Sequence, residues 1–550
     1  LFLIRKYGNT KNKAYPLSIY FIGLSILLSR SLISNYLIGG DIHAEYQSFT
    51  RLLTVLQWDN LFIQNQPDAC MSITILPVLY QKFLGVDSII VFKVVLILII
   101  ALLPVIVYEM YKNDLGPLYS FITAFFYISQ IPFFYLLTGQ LRVGISLFFG
   151  YLLFYMLFDD LSGTLGSKVI CITLLLCAVL SYYVTPIFIT LMLLLYWLFN
   201  KTLLHMKKGA SISISLILLS MVLIFFYWGQ ITDVAFSGYV KYASNIITNL
   251  GNMFVEEMRS PVVQSIFTYE KTSILSLIPG FIQRGMLIMI TLGVIALVVR
   301  PQAYERLSKF RILIFTSFLL LICEIIMPWI SHGYGADRLY LQLLFFLAPV
   351  YIVACDAISR TVIKLKYTNN IIIQKFRLVF CAVTIIIIFM SSSFLYHELV
   401  GIRGREILDN QSGGYQRLYI YDSDVYGARW MSHNNSSSLP IYTNLLLHFP
   451  STDGLFMYVS KYPEIVFNLK VFGQEKEIEV KDGYVFVRHI AEKNNKIEGF
   501  VYAPDDIAKK IKIKDPQNPY ISDTYSYFFD KQNKIYANGQ ALSYEYNSGS

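Results

Sequence analysis

The sequence predicts an all-α polytopic membrane protein with about eleven transmembrane helices, closed by a C-terminal extracytoplasmic domain of α/β or β-rich type. Three observations predict it. Of 550 residues, 55% are hydrophobic and only 15% are charged, well below the roughly one quarter expected of a soluble domain. Long apolar stretches alternate with short loops that carry Lys and Arg, as helices threading a bilayer do. After Phe394 the chain becomes polar, Tyr-rich and rich in turn residues. These divide it into a membrane domain, 1–395, with long outer loops at 39–86 and 230–279, and a soluble domain, 396–550.

The elements follow in order. Arg5, Lys6, Lys11 and Lys13 place the amino terminus in the cytoplasm, because short basic segments stay inside. The first apolar segment is long enough to span and shows no small-residue cleavage site, so no cleavable signal peptide is expected. Span one runs over about 15–38 and delivers Asp41 to the outer face. In 41–86 the apolar spacing Phe49, Leu52, Leu53, Leu56, Trp58, Leu61, Phe62 predicts amphipathic helices lying on the membrane. Ser72–Leu84 is apolar but short and holds Pro77, which suits a re-entrant or interfacial segment. Further spans are expected at 88–110, 117–137, 142–158, 168–183, 186–200, 211–229, 281–299, 312–330, 338–356 and 378–395. Every inner loop of this arrangement carries Lys or Arg: Lys112, then Lys168, then Lys201, Lys207 and Lys208, then Arg300, Arg306, Lys309 and Arg311, then Arg360, Lys364, Lys366, Lys375 and Arg377. An odd number of spans from an inside start leaves the carboxyl terminus outside. There, Tyr419-Ile420-Tyr421, Ile441-Tyr442 and Gly483–Val487 read as strands, and Asp422-Ser423-Asp424 reads as the cap of a helix.

Several function classes drop out. The net charge of +9 is spent in the inner loops, so it does not indicate nucleic-acid binding. Five of the six cysteines lie in or beside apolar spans, with no disulfide framework or zinc spacing.

The stretch that carries chemistry is Gly39-Gly40-Asp41-Ile42-His43-Ala44-Glu45-Tyr46. Two carboxylates and a histidine fall within five residues, at a membrane surface where charge is costly and usually functional. The plainer alternative is that Asp41 starts a surface helix after two glycines. Asp41 and Glu45, four apart, share a helical face that His43 does not. A divalent cation there, Mg2+ or Mn2+, would therefore need oxygens from elsewhere, such as Glu256 or Glu257.

Five basic residues stand at the outer ends of spans, on the side poor in positive charge: Arg30, Lys93, Arg142, Arg284 and Arg338. Snorkelling explains any one of them. As a group at one depth they suit a lipid-linked phosphate or pyrophosphate, since guanidinium groups offer paired donors to phosphate oxygens. Arg142 and Arg338 lie in the polar loops Thr138–Arg142 and Gly335–Arg338 and lead the group. Glu324, inside span nine, is expected to face the bundle interior, paired with an arginine or serving a proton path. His332 and Asp337 read as loop residues.

With these residues in view, the layout resembles the GT-C superfamily of polytopic glycosyltransferases, and within it a set of largely archaeal multispanning membrane proteins. The first loop carries the resemblance. Ser72–Tyr80 with Val91-Phe92-Lys93, Tyr334–Tyr340, Ala428-Arg429-Trp430 followed by Ile441–Asn444, and Asn533–Gly539 are also similar. The resemblance implies transfer of a sugar from a polyprenyl-phosphate-linked donor to a glycan, lipid or protein acceptor on the outer face. It implies Asp41 as general base, or as ligand to a metal or to the acceptor, with Glu45 and His43 as second choices. Arg338 and Arg142, supported by Arg284, Arg30 and Lys93, would hold the donor phosphate. Two departures stand out. Tyr182-Tyr183 replaces a histidine common in the similar proteins, and the Trp-Trp-Asp motif of oligosaccharyltransferases is absent, which counts against sequon glycosylation. A transporter or flippase of lipid-linked glycans, which would also use the cations and Glu324, stays open, as does a non-catalytic assembly subunit.

Overall fold

The structure, a computed structural model, describes residues 11–158, 164–201, 212–252, 255, 258–267, 274–364, 370–401 and 419–434, and seven strands beyond them. The chain divides into two compact units, Leu1–Arg30 with Leu56–Gly404, and Ser31–Val55 with Arg405–Ser550. The stretch with Asp41 thus groups with the C-terminal residues rather than with the helices that flank it in sequence.

The first unit is helical. Its main helices are α1 (Lys11–Ser31) and, beyond the α2 helix of the other unit (Asp41–Val55), α3 (Ile75–Leu84), α4 (Ser88–Leu115), α5 (Pro117–Ile128), α6 (Ile131–Gly139), α7 (Leu141–Phe158), α8 (Leu165–Ser181), α9 (Thr185–Phe199), α10 (Ile214–Ile231), α11 (Phe236–Thr248), α12 (Ile274–Val299), α13 (Arg311–Ile326), α14 (Ala336–Lys364) and α15 (Asn370–Ser392). Each of the eleven expected spans overlaps one of these helices. By length and apolarity, six of the described helices can cross a membrane, or seven if α5 and α6 count as one broken span. Others are shorter: α8 has 17 residues and α9 has 15, which at ~1.5 Å per residue falls short of a hydrocarbon core of about 30 Å.

Span three is not one rod. Its two halves bend by 60° between Ile128 and Ile131, where Pro132 cannot donate to the carbonyl of Ile128. Side chains satisfy the loosened turn: Ser129 Oγ donates to Phe125 O at 2.7 Å and Gln130 Nε2 to Phe126 O at 2.9 Å. Span eight also differs from expectation. Its helix begins at Ile274 and runs through Pro279, so Arg284 lies ten residues inside it rather than at its mouth. Proline does not end a membrane helix whose freed carbonyl finds other partners.

α14 is the axis of this unit, packed by α5, α12, α13 and α15. Tyr151 of α7 stacks on its Phe345 at 3.9 Å, and Phe126 of α5 stacks on its Tyr351 at 4.5 Å. Pro349 in mid-helix deprives Phe345 O of its usual donor, and Tyr111 Oη donates to that carbonyl at 2.9 Å instead. α12 crosses so closely that a Cβ at Gly293 would collide with Val350 O. Gly293→Ala is therefore expected to force the helices apart at a cost of about 1–3 kcal/mol, read as a lower unfolding temperature of the purified protein. An unchanged temperature would show the crossing to be looser than this.

At one end of α14 and α15, the buried Asp356 takes Arg377 Nη1 at 2.6 Å, Arg360 Nε at 2.7 Å and Tyr304 Oη at 2.9 Å. Arg377 also lies over the Tyr119 ring and donates to its hydroxyl. Lys309 pairs with Asp114 at 3.0 Å nearby in sequence to Tyr304. These are the cations expected in the inner loops; Lys207, Lys208 and Lys366 lie outside the described residues.

The second unit holds α2, the α16 helix (Asp422–Asn434) and the strands β1 (Ile441–Asn444), β2 (Lys470–Phe472), β3 (Gly483–Val487), β4 (Ile497–Glu498), β5 (Tyr520–Ile521), β6 (Asn533–Ala537) and β7 (Leu542–Tyr546). Five form a mixed sheet in the order β2-β1-β3-β7-β6, parallel across β2-β1-β3 and antiparallel across β3-β7-β6. β4 pairs with β5. The strands expected at Ile441-Tyr442 and Gly483–Val487 are β1 and β3. The one expected at Tyr419–Tyr421 is not a strand. There the backbone caps α16: Tyr421 O accepts from Asp424 N at 3.1 Å, and Asp424 Oδ2 accepts from Tyr421 N at 3.3 Å, a reciprocal cap that outcompetes sheet pairing. Ser34 Oγ donates to Ile420 O, and Tyr36 Oη donates to Asp422 Oδ1 at 3.0 Å.

Candidate functional site

The candidate residues fall in both units. In the second, Gly39 has φ +147 and the chain enters α2 at Asp41. Asp41 is a first-turn residue, where a carboxylate complements the helix dipole. It is half-buried, while Glu45 is fully buried and His43 nearly so. The i, i+4 relation of Asp41 and Glu45 therefore holds. Burial of His43, which lies off that face, means that α2 is covered on more than one side.

In the first unit the five cations separate. Arg30, in the last turn of α1, donates through Nη1 to the carbonyls of Phe134 and Tyr135 and lies 4.3 Å from the Tyr135 ring centre. Arg284 donates from Nε to Ile266 O at 2.7 Å. Lys93 is buried in a π-helical turn, Val91–Val95, a local widening that recurs at functional sites. Arg142 and Arg338 meet at one side chain. Arg338 Nη1 donates to Tyr182 Oη at 3.1 Å, and the Arg142 guanidinium lies 5.7 Å from the Tyr182 ring centre, within cation–π range.

Local sequence explains each position. Arg142 is the second residue of α7. Arg338 is the third residue of α14, after Gly335 at φ +93, a conformation that favours glycine. The short helix before it starts at Trp329 with φ +64. A left-handed tryptophan is strained, and such strain clusters where geometry serves function. Its N–H is held by Met258 O at 3.0 Å.

Tyr182 ends α8, and all four last carbonyls of that helix have donors. Ala178 O receives Tyr182 N and Ser146 Oγ, Val179 O receives Trp228 Nε1, Leu180 O receives Met71 N, and Ser181 O receives Ser72 Oγ. Tyr239 Oη then fixes Tyr183 O at 2.8 Å. The helix end is thus fully satisfied, and the Tyr182 ring, completely buried and 4.5 Å from the Tyr183 ring, is held by packing before any ligand arrives.

Beside this cluster lie Tyr334, whose hydroxyl accepts from Gln342 Nε2, and the buried Glu324. Burial pushes the Tyr334 phenol far above its ordinary value; Arg338 pulls it partly back, while Tyr183 and Glu324 raise it. Glu324 faces inward as expected. Among the described residues it forms no ion pair, and its Oε1 has no hydrogen-bond partner. The pairing expected with an arginine is therefore absent there. The side chain of His332 lies outside the described residues. Among the described residues no three His, Cys, Asp or Glu side chains converge as a metal-binding group, and Glu256 and Glu257 lie outside them.

Residues 168–544 match the family described as a predicted membrane protein (DUF2206). The chain belongs to that family. Comparison with curated proteins gives no match. Among solved structures, the chain is similar to the archaeal oligosaccharyltransferase AglB of Archaeoglobus fulgidus in complex with an inhibitory peptide and a dolichol-phosphate, at 12% identity over 87% of this chain and 70% of that one, with a TM-score of 0.48. It is also similar to ArnT of Cupriavidus metallidurans in the apo state, at 11% over 97% and 98%, with a TM-score of 0.46. The arabinofuranosyltransferase AftD from Mycobacteria gives 12% over 97% of this chain and 40% of that one, with a TM-score of 0.43. Sequence reasoning singled out Arg142 and Arg338 in this DUF2206 chain but treated Tyr182 only as a departure from similar proteins. Its role as their meeting point is a contact across 156 residues, which no local pattern reveals.

Proposed function

We propose that this protein is a GT-C-like membrane glycosyltransferase that moves a sugar from a polyprenyl-phosphate-linked donor to an acceptor on the extracytoplasmic face. The carrying observation is the convergence of Arg142 and Arg338 on a buried, rigidly held tyrosine in the membrane unit. Two guanidinium groups gathered at helix ends suit the phosphate of a lipid-linked donor, and they would stabilise the charge that grows on it as the sugar leaves. Asp41 is the general base that takes the acceptor hydroxyl proton, a role resting on its place at the start of α2 after span one. About eleven spans, an inside amino terminus and an outward C-terminal domain belong to the same proposal.

Membranes containing the protein, given polyprenyl-phosphate sugars with a radiolabel, are expected to transfer label to an acceptor. Arg338→Ala and Arg142→Ala are each expected to raise the donor KM by tenfold or more, at ~1.5–3 kcal/mol per charge-assisted hydrogen bond. Flipping of the intact lipid-linked sugar by reconstituted protein, without transfer, would instead support the flippase reading. The second role for Asp41, holding Mg2+ or Mn2+, predicts that EDTA abolishes transfer and that adding the ion restores it. The base role predicts no response to chelation.

A further inference from the structure

The Tyr182 hydroxyl has a proton to give. Its oxygen accepts from Arg338 Nη1 at 3.1 Å. Among the described residues no acceptor takes its own hydrogen, although the side chain is completely buried. A buried hydroxyl normally uses its donor. An ordinary phenol keeps its proton at neutral pH, so the hydrogen stays on the oxygen. The backbone on both sides is tied to Met71, Ser72, Trp228 and Tyr239, and the ring itself is fully buried and packed against Tyr183 at 4.5 Å, so it has no room to swing to another partner. What remains is a fixed neutral donor beside two cationic ones, with an acceptor yet to come.

We propose that the Tyr182 hydroxyl donates a hydrogen bond to the same phosphate that Arg142 and Arg338 bind, which makes Tyr182 a third ligand of the donor lipid's head group. The inference rests on the donor reading above and goes beyond it by assigning a residue that charge alone does not mark. A neutral donor complements the cations. Arginine attracts any anion, whereas a rigid hydroxyl rewards only an oxygen placed at hydrogen-bond distance, and so selects a phosphate set at one depth.

The test is binding of farnesyl phosphate to the full-length protein in detergent, with farnesol as the uncharged comparison, for wild type, Tyr182→Phe and Tyr182→His. Wild type is expected to bind farnesyl phosphate well above farnesol. Tyr182→Phe, which removes one oxygen, is expected to weaken farnesyl phosphate about tenfold and leave farnesol unchanged. Tyr182→His, which restores a ring donor, is expected to recover part of the loss. Equal farnesyl phosphate affinity in wild type and a folded Tyr182→Phe overturns the assignment while leaving the arginine site standing. Should Tyr182→Phe fail to fold, Tyr182→Leu, which also lacks a donor, takes its place, and farnesyl phosphate binding reduced no more than farnesol binding in that variant overturns the assignment as well. Wild type that binds farnesyl phosphate no better than farnesol overturns the donor site altogether, and this assignment with it.

Discussion

Asp41→Asn is expected to abolish sugar transfer, by at least about a hundredfold, the smallest loss usual for removal of a general base. The substitution keeps size and the ability to accept a hydrogen bond at the first turn of α2 but removes the basic oxygen. Protein level in the membrane, unfolding temperature and donor binding should therefore match wild type, and kcat should carry the whole effect. Measured against the arginine variants, the two sets should separate: Asp41→Asn in kcat, Arg142→Ala and Arg338→Ala first in donor KM. Transfer by Asp41→Asn at the wild-type rate would leave Asp41 as the opening residue of a helix and nothing more.

The largest effect on stability is expected at Asp356. It is nearly buried and accepts from Arg360, Arg377 and Tyr304 at once. Asp356→Ala strands the Arg377 guanidinium, only a fifth exposed, without its carboxylate. Breaking a buried pair from one side costs about 3–5 kcal/mol. The check is thermal unfolding in detergent. Arg377→Met added to Asp356→Ala should regain much of the loss, because the cost lies in the uncompensated charge rather than in the pair itself. An Asp356→Ala protein as stable as wild type would mean that solvent reaches the arginine.

Much of this molecule is legible in its sequence because a bilayer permits so few solutions. The apolar stretches locate the helices, and the cost of a charge in lipid is enough to predict that Glu324 turns inward. The short strands β1 and β3 are legible too, from β-branched and aromatic residues between turns. The errors are instructive. Tyr419–Tyr421 has strand composition, but a reciprocal cap with Asp424 claims its backbone. The break in span three was signalled by Pro132 and hidden by the apolar residues on both sides. In the candidate site, Arg142 and Arg338 stand out in the sequence because they fall at span ends expected to be poor in positive charge. Tyr182 does not, because one tyrosine among 41 at a membrane surface is unremarkable until tertiary contacts bring both arginines to it.

The burial of α14 has a consequence for how a lipid reaches this protein. Its spanning window is 89% buried, against 22–28% for α10, α12 and α15. The exposed faces of those three helices, and not α14, are therefore expected to meet the acyl chains, and a photoreactive phospholipid should label α10, α12 and α15 and spare α14. A long isoprenoid tail, slipping in sideways from the bilayer, would have to travel along helices of the outer ring, and α14 would serve as the fixed post against which the ring gives way.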